Sequence, residues 1–193
     1  YDGERYDARQ EVSGWCNADF DDSSWQNAVE RKAPEGKLVA FDTNPDRITE
    51  TLNPVAFKSN PDGSCTIDFG EMISGHVRLK NIVGEKDKTI KIKYESVYSQ
   101  EVSYTFKDSS PVDYAPQFTW YVFRYVTVTG FTPTADQIVA EAVNTDMKVN
   151  SEFTTSNELF NRINKVWQRT EKDNIHSGVE SDCPHRERIP YTG

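Results

Sequence analysis

Groups able to move protons or grip a hydroxylated ligand are densest in SDCPHRERIPYTG, residues 181–193. Asp182, Cys183, His185, Arg186, Glu187 and Arg188 bring two carboxyls, a thiol, an imidazole and two guanidinium groups within seven positions. A carboxylic acid that donates a proton near neutral pH must first keep it, which requires burial or neighbouring negative charge. Glu180 and Asp182 are close enough in sequence to supply that charge to Glu187. Arg186 and Arg188 would oppose it if turned toward Glu187, so they are expected to face other carboxylates or a ligand. By residue type alone a Glu between two Arg is also the ordinary make-up of a solvated surface cluster, and Asp182 suits a turn or helix cap; both readings stay open. A Cys183 nucleophile would need an oriented base and a third group. Adjacency to His185 across Pro184 provides neither, so a packed structural cysteine is expected. His76 and His176 stand outside any HxH or HExxH pattern and read as surface or packing residues, with no metal site assigned.

Something has to hold that loop. The residues before it, TTSNELFNRINKVWQRTEKDNIH, place Leu159, Ile163, Val166 and Trp167 at helical spacing, with Ser156 as the expected N-cap. One amphipathic helix needs a partner for its apolar face, either the sheet before it or further helices, and Trp167 on that stripe is expected in a core. Upstream the period is that of strands. Ile90, Ile92 and Tyr94 alternate with Lys91, Lys93 and Glu95, the pattern of a strand with one wet face. SCTIDFG, SGHVRLKNIVG, FTWYVFRYVTVTG and a run near 137–144 add further strands, and KLVAFD and ITETLNPVAFKS are expected to supply more. NPDG is a strong turn signal, and Asp68, Gly70 and Gly75 suggest a turn at a strand end. Trp120 is expected in the core, whereas Trp15 and Trp25 flank a polar turn and pin it. Strands joined by Gly, Asn and Pro turns without long helices between them indicate an antiparallel β-sandwich, mainly β, and exclude a βαβ fold.

Composition narrows the function. The 193 residues carry a net charge of −9, with four Trp, nine Tyr and ten Phe. A chain this acidic is no general nucleic-acid or anionic-membrane surface, because binding phosphate needs local positive charge. No run approaches 18 apolar residues, so no membrane span is encoded. Cys16, Cys65 and Cys183 are far apart and form neither a zinc cluster nor a disulfide scaffold. Their spacing does not choose a compartment; a periplasmic or extracellular place is favoured over the cytoplasm.

Five segments in order then resemble one family. DGERYDAR with GW and DDSSW, IDFGEMISGHVRLK, FTWYVFRYVTVTG, SEFTTSNELFNRI and SDCPHRERIPYTG are together similar to bacterial α-L-rhamnosidases, inverting glycoside hydrolases in which β-sandwich domains precede an (α/α)6 barrel. The resemblance implies that residues 1–36 are the end of an accessory β domain or a linker, 37–153 form the sandwich, and 154–193 hold the first helix and loop of the catalytic barrel. It implies Glu187 as general acid, with Asp182 and Arg186 as sugar-binding residues, and it places the general base beyond Gly193. The substrate implied is a rhamnose-containing glycoside or glycan, and the partner of the helix is the remainder of the barrel. No cofactor is implied, since acid–base hydrolysis needs none; no loop resembles an EF-hand calcium site. The rival expectation is a non-catalytic carbohydrate-binding or domain-packing β module. The two differ in one observable: a self-contained module buries the 159/163/166/167 stripe, and a piece of a larger assembly leaves it exposed.

Overall fold

A computed structural model describes residues 3–95 and 100–180. In chain order the strands are β1 (Arg5–Asp7), β2 (Asp46–Leu52), β3 (Ala56–Ser59), β4 (Cys65–Ile82), β5 (Thr89–Glu95), β6 (Gln100–Thr105), β7 (Val112–Tyr114), β8 (Tyr121–Thr129) and β9 (Ile138–Thr145). Helix α1 (Glu158–Asn174) follows, then a two-residue-strand hairpin of β10 (Ile175–His176) and β11 (Val179–Glu180). Among the described residues β1 to β9 join in one sheet ordered β1-β6-β5-β8-β4-β9-β2, with β3 and β7 both pairing with β4. All pairings in it are antiparallel except β1 with β6. The sheet curls into a half-barrel, so the mainly β unit followed by one helix is as the strand and helix periods require.

Alternation explains which face is buried. Ile90, Ile92 and Tyr94 are covered while Lys91, Lys93 and Glu95 face solvent. Tyr94 stacks on Tyr121 with ring centroids 4.0 Å apart and meets Phe123 edge-on at 4.9 Å. Its hydroxyl accepts the Val77 N–H at 3.1 Å, so a β5 side chain satisfies β4 backbone across the interior. Burial pushes the Tyr94 phenol well above its ordinary value, which keeps it neutral. Ile67, Phe69, Ile73, Val77 and Leu79 of β4 complete the centre of this core.

Several local expectations are corrected. KLVAFD forms no strand: it lies in an irregular stretch where Leu38 is almost wholly exposed, because no neighbouring strand offers it a ladder. Asp68, Gly70 and Gly75 make no strand-ending turn. They lie inside the 18-residue β4, whose register against β8 shifts between Asp68 and Ile73, a bulge that bends the strand without ending it. The N-cap of α1 is Asn157, whose side chain accepts the Leu159 N–H at 2.9 Å, one residue after Ser156. Trp120 is only half-buried and stands outside the core cluster. Trp25 does pack on Phe20, with centroids 5.3 Å apart.

Gly75 shows how tightly β4 and β9 approach. A Cβ there would sit 2.0 Å from the Glu141 carbonyl oxygen. Both strands are central in the sheet and cannot separate without breaking ladders on either side. Gly75→Ala is therefore expected to lower unfolding stability on the order of 3 kcal/mol, read as a fall in the urea midpoint; an unchanged midpoint would show that the strands can part.

Candidate functional site

Among the described residues, the place where the chain is delivered to residues 181–193 is the far end of α1 and the hairpin after it. Asp182, Cys183, His185, Arg186 and Glu187 themselves lie outside the described residues. The structure shows how their point of departure is held.

The β4 bulge creates the first anchor by carrying Glu71 outward at the point where the register shifts. Arg169 on α1 donates from Nη2 to Glu71 Oε2 at 3.0 Å and to Glu50 Oε2 at 2.8 Å, and from Nε to Glu71 at 3.2 Å. Lys165 reaches Glu71 at 3.5 Å. One turn further along, Asp173 Oδ1 accepts the Ser74 backbone N–H at 2.9 Å in a buried contact. Residues 165, 169 and 173 keep the i, i+4 spacing of one helix face, so α1 lies on the sheet by a polar seam. Burial raises the Asp173 carboxyl to about 6 against the lowering effects of the Ser74 N–H and Arg169.

The apolar stripe lies beside that seam and is uncovered. Leu159, Ile163, Val166 and Trp167 are each more than half exposed, and Phe160 with them. Trp167 is thus no core residue here, because the sheet meets the polar face of the helix. It borders a cleft of about 570 Å3 between α1 and the β2–β9 edge, together with Arg47, Asn144 and Met147.

The second anchor grips the hairpin. The Asp46 carboxylate accepts the Ser177 N–H at 2.6 Å and the Thr145 hydroxyl at 3.1 Å on Oδ1, and lies 3.1 Å from His176 Nδ1 through Oδ2. Thr145 Oγ1 in turn accepts the Gly178 N–H at 2.9 Å, and Thr43 donates to the Ser177 carbonyl at 3.0 Å. The ring of His176 lies flat on Trp120, with centroids 3.8 Å apart and 5° between planes. Since a carboxylate only accepts, the proton of a neutral His176 sits on Nδ1. Burial pulls this imidazole below its ordinary value against the opposing pull of Asp46, which favours the neutral ring. Ser177 and Gly178 both take positive φ, 53° and 73°, the two-residue turn that matches strand twist.

His76 is also buried and paired, at 2.9 Å from Glu141 Oε2, while Arg78 takes Glu141 Oε1 at 2.6 Å. Both histidines are packing residues, and neither is a surface one. The residues that sequence reasoning missed are Asp46, Thr145, Arg169 and Asp173. The one legible signal is HSG, whose Ser-Gly pair suits a turn after a histidine, while Asp46 stands in NPDR, whose make-up suits no more than a turn. No group of three or more His, Cys, Asp or Glu suited to a metal occurs among the described residues, and no helix there is long and apolar enough to cross a membrane.

Comparison with known proteins covers the chain almost end to end. Residues 1–50 match the alpha-L-rhamnosidase N-terminal domain, and 58–145 the bacterial alpha-L-rhamnosidase concanavalin-like domain. Residues 148–193 match the bacterial alpha-L-rhamnosidase 6 hairpin glycosidase domain. An alpha-L-rhamnosidase of Formosa agariphila is 32% identical over 100% of this chain and 22% of its own length. The alpha-L-rhamnosidase structure from Dictyoglumus thermophilum superposes with a TM-score of 0.90 at 35% identity, covering 99% of this chain and 23% of that one. The Streptomyces avermitilis alpha-L-rhamnosidase complexed with L-rhamnose does so with a TM-score of 0.83 at 28% identity, over 94% and 19%. The chain therefore spans less than a quarter of the length of these relatives.

Asp173 yields a pH test. Its folded value near 6 exceeds the ordinary 3.8, so between those values the folded state holds a proton that the unfolded chain has released. The contribution of Asp173 to the seam is fully present below about pH 4 and is lost as pH rises through 6. Asp173→Asn keeps an oxygen for the Ser74 N–H and removes the buried charge. It is expected to be more stable than the parent at pH 8, by about 3 kcal/mol at most, and to lose that advantage at pH 4. Melting temperatures at the two pH values check this; an Asn variant that is less stable at pH 8 contradicts it.

Proposed function

The chain belongs to the bacterial alpha-L-rhamnosidase family, and on that premise we propose that it contributes to the hydrolysis of terminal α-L-rhamnosyl residues from glycosides or polysaccharides by an inverting acid/base mechanism. Glu187 is the general acid that protonates the leaving oxygen, and Asp182 and Arg186 hold the hydroxyls of the sugar. In an inverting reaction the second carboxylate stands about 6.5–9.5 Å away and activates a water on the opposite face of the ring. That base comes from the part of the enzyme represented in the remaining length of the relatives. Residues 154–193 open the catalytic helical domain, and 37–153 form the β unit on which it is mounted.

The observation that carries this reading is the coincidence of two independent features. Residues 148–193 match a glycosidase domain, and within that same stretch α1 presents an uncovered apolar stripe. An apolar face of that size is covered in a working protein, and further helices of the catalytic domain are the natural cover. A self-contained binding module would have turned the stripe onto the sheet, where Arg169 and Asp173 lie instead.

The test uses the full-length enzyme on an aryl α-L-rhamnoside. Glu187→Gln is expected to lower kcat by about 10²–10⁴-fold, the usual worth of general acid catalysis. The first-formed sugar, followed by NMR, is expected to be β-L-rhamnose. Parent-like turnover by Glu187→Gln removes the acid role, and an α-anomeric first product removes inversion.

A further inference from the structure

We infer that His176, with Asp46, Thr145 and Trp120, is a positioning device for the acid-bearing segment, so that the β unit sets the aim of the catalytic carboxyl. This rests on the reading of Glu187 as general acid.

The hairpin that precedes the segment cannot hold itself. It has two residue pairs, Ile175 with Glu180 and His176 with Val179, and an isolated ribbon of that size has no stability of its own in water. Its course is decided by outside contacts, and those come from the β unit. Asp46 stands at the first residue of β2, 130 positions before His176, yet one carboxylate binds both the His176 ring and the next backbone N–H. Thr145, at the last residue of β9, takes the N–H after that. Two successive backbone groups and one side chain are thus fixed by two side chains on adjacent strands, which pair Asp46 with Thr145. Trp120, just before β8, closes the remaining freedom by stacking on the ring. A residue larger than Gly at 178 would put its Cβ 2.7 Å from Thr43, so the turn is also seated against the segment before β2.

The separation in sequence from the proposed chemistry is short. Asp182 lies two residues after Glu180, and Glu187 lies seven after it. Misplacing a reacting group by 1 Å costs about 10²-fold in rate. A clamp made of oriented hydrogen bonds and a flat ring stack resists rotation in a way that apolar contact does not. That is the property an aimed acid needs, and nothing in the docking of α1 by its polar seam requires it.

A mispositioned acid has a signature that general loss of structure lacks. Substrates whose leaving group departs as a stable anion need little protonation, so a defect confined to the acid disappears on them. The full-length enzyme is compared with His176→Ala, Asp46→Asn and Glu187→Gln on a 2,4-dinitrophenyl and on an alkyl α-L-rhamnoside. His176→Ala is expected to lose about 10²-fold in kcat on the alkyl substrate, with KM nearly unchanged, and to approach the parent on the dinitrophenyl substrate. Asp46→Asn, which keeps an oxygen for the Ser177 N–H, is expected to show the same trend more weakly and serves where His176→Ala folds poorly. Glu187→Gln must show the same leaving-group dependence in a steeper form. If Glu187→Gln is graded while both clamp variants are parent-like, or are equally slow on the two substrates, the positioning role is wrong and the acid reading stands. If Glu187→Gln itself shows no grading, Glu187 is not the acid and the inference falls with it.

Discussion

Backbone N–H and carbonyl groups taken out of water have to be paired, and the length of β4 turns that requirement into the plan of the molecule. Its 18 residues pair with β3, β7, β8 and β9 in turn. A strand that changes partners along its course must bend, and it bends where its register against β8 shifts between Asp68 and Ile73. The bend lets Tyr94 on β5 reach the Val77 N–H across the interior. It also leaves the Ser74 N–H to be taken by a carboxylate from α1. Core and helix dock are two results of one irregularity.

The helix is held by polar contacts, and this decides which surface remains available. Had α1 turned its apolar stripe to the sheet, the seam would have been stronger and the stripe used up. Instead Arg169 spans Glu50 and Glu71, and Asp173 is buried at the cost of a raised carboxyl. Such a seam is specific in geometry and modest in energy, since much of what the ion pairs return goes to desolvation. The stripe is left facing outward, in the part of the chain that matches a glycosidase domain. The β unit behaves as a mount: it orients α1 and leaves that stripe uncovered.

Asp46 repeats this logic at the hairpin. It joins three segments remote in sequence, and it does so from a site whose neighbours NPDR suggest nothing beyond a turn. His176 is a similar case, because a lone histidine among polar residues is read as packing, and packing it is. The proposed positioning role draws on the place of His176 in the chain, six residues before Asp182 and eleven before Glu187.

The alternation in TIKIKYE, the dense apolar run of β8 and the shift to helical spacing after Thr155 are local patterns, and they sufficed to determine a mainly β unit followed by one helix, because strand and helix periods are fixed by backbone geometry alone. The motif of residues 181–193 likewise needs no fold to be noticed. KLVAFD misled because a β-like composition forms a strand only where a neighbour supplies the ladder. Ser156 and Asn157 are equally good caps, and the choice between adjacent residues falls to backbone dihedrals. Which face of α1 meets the sheet, whether Trp167 and Trp120 are core, and that Asp46 holds His176 were decided only by tertiary structure. Each depends on two stretches about 55 to 130 residues apart coming into contact, and no periodicity within either stretch encodes the other.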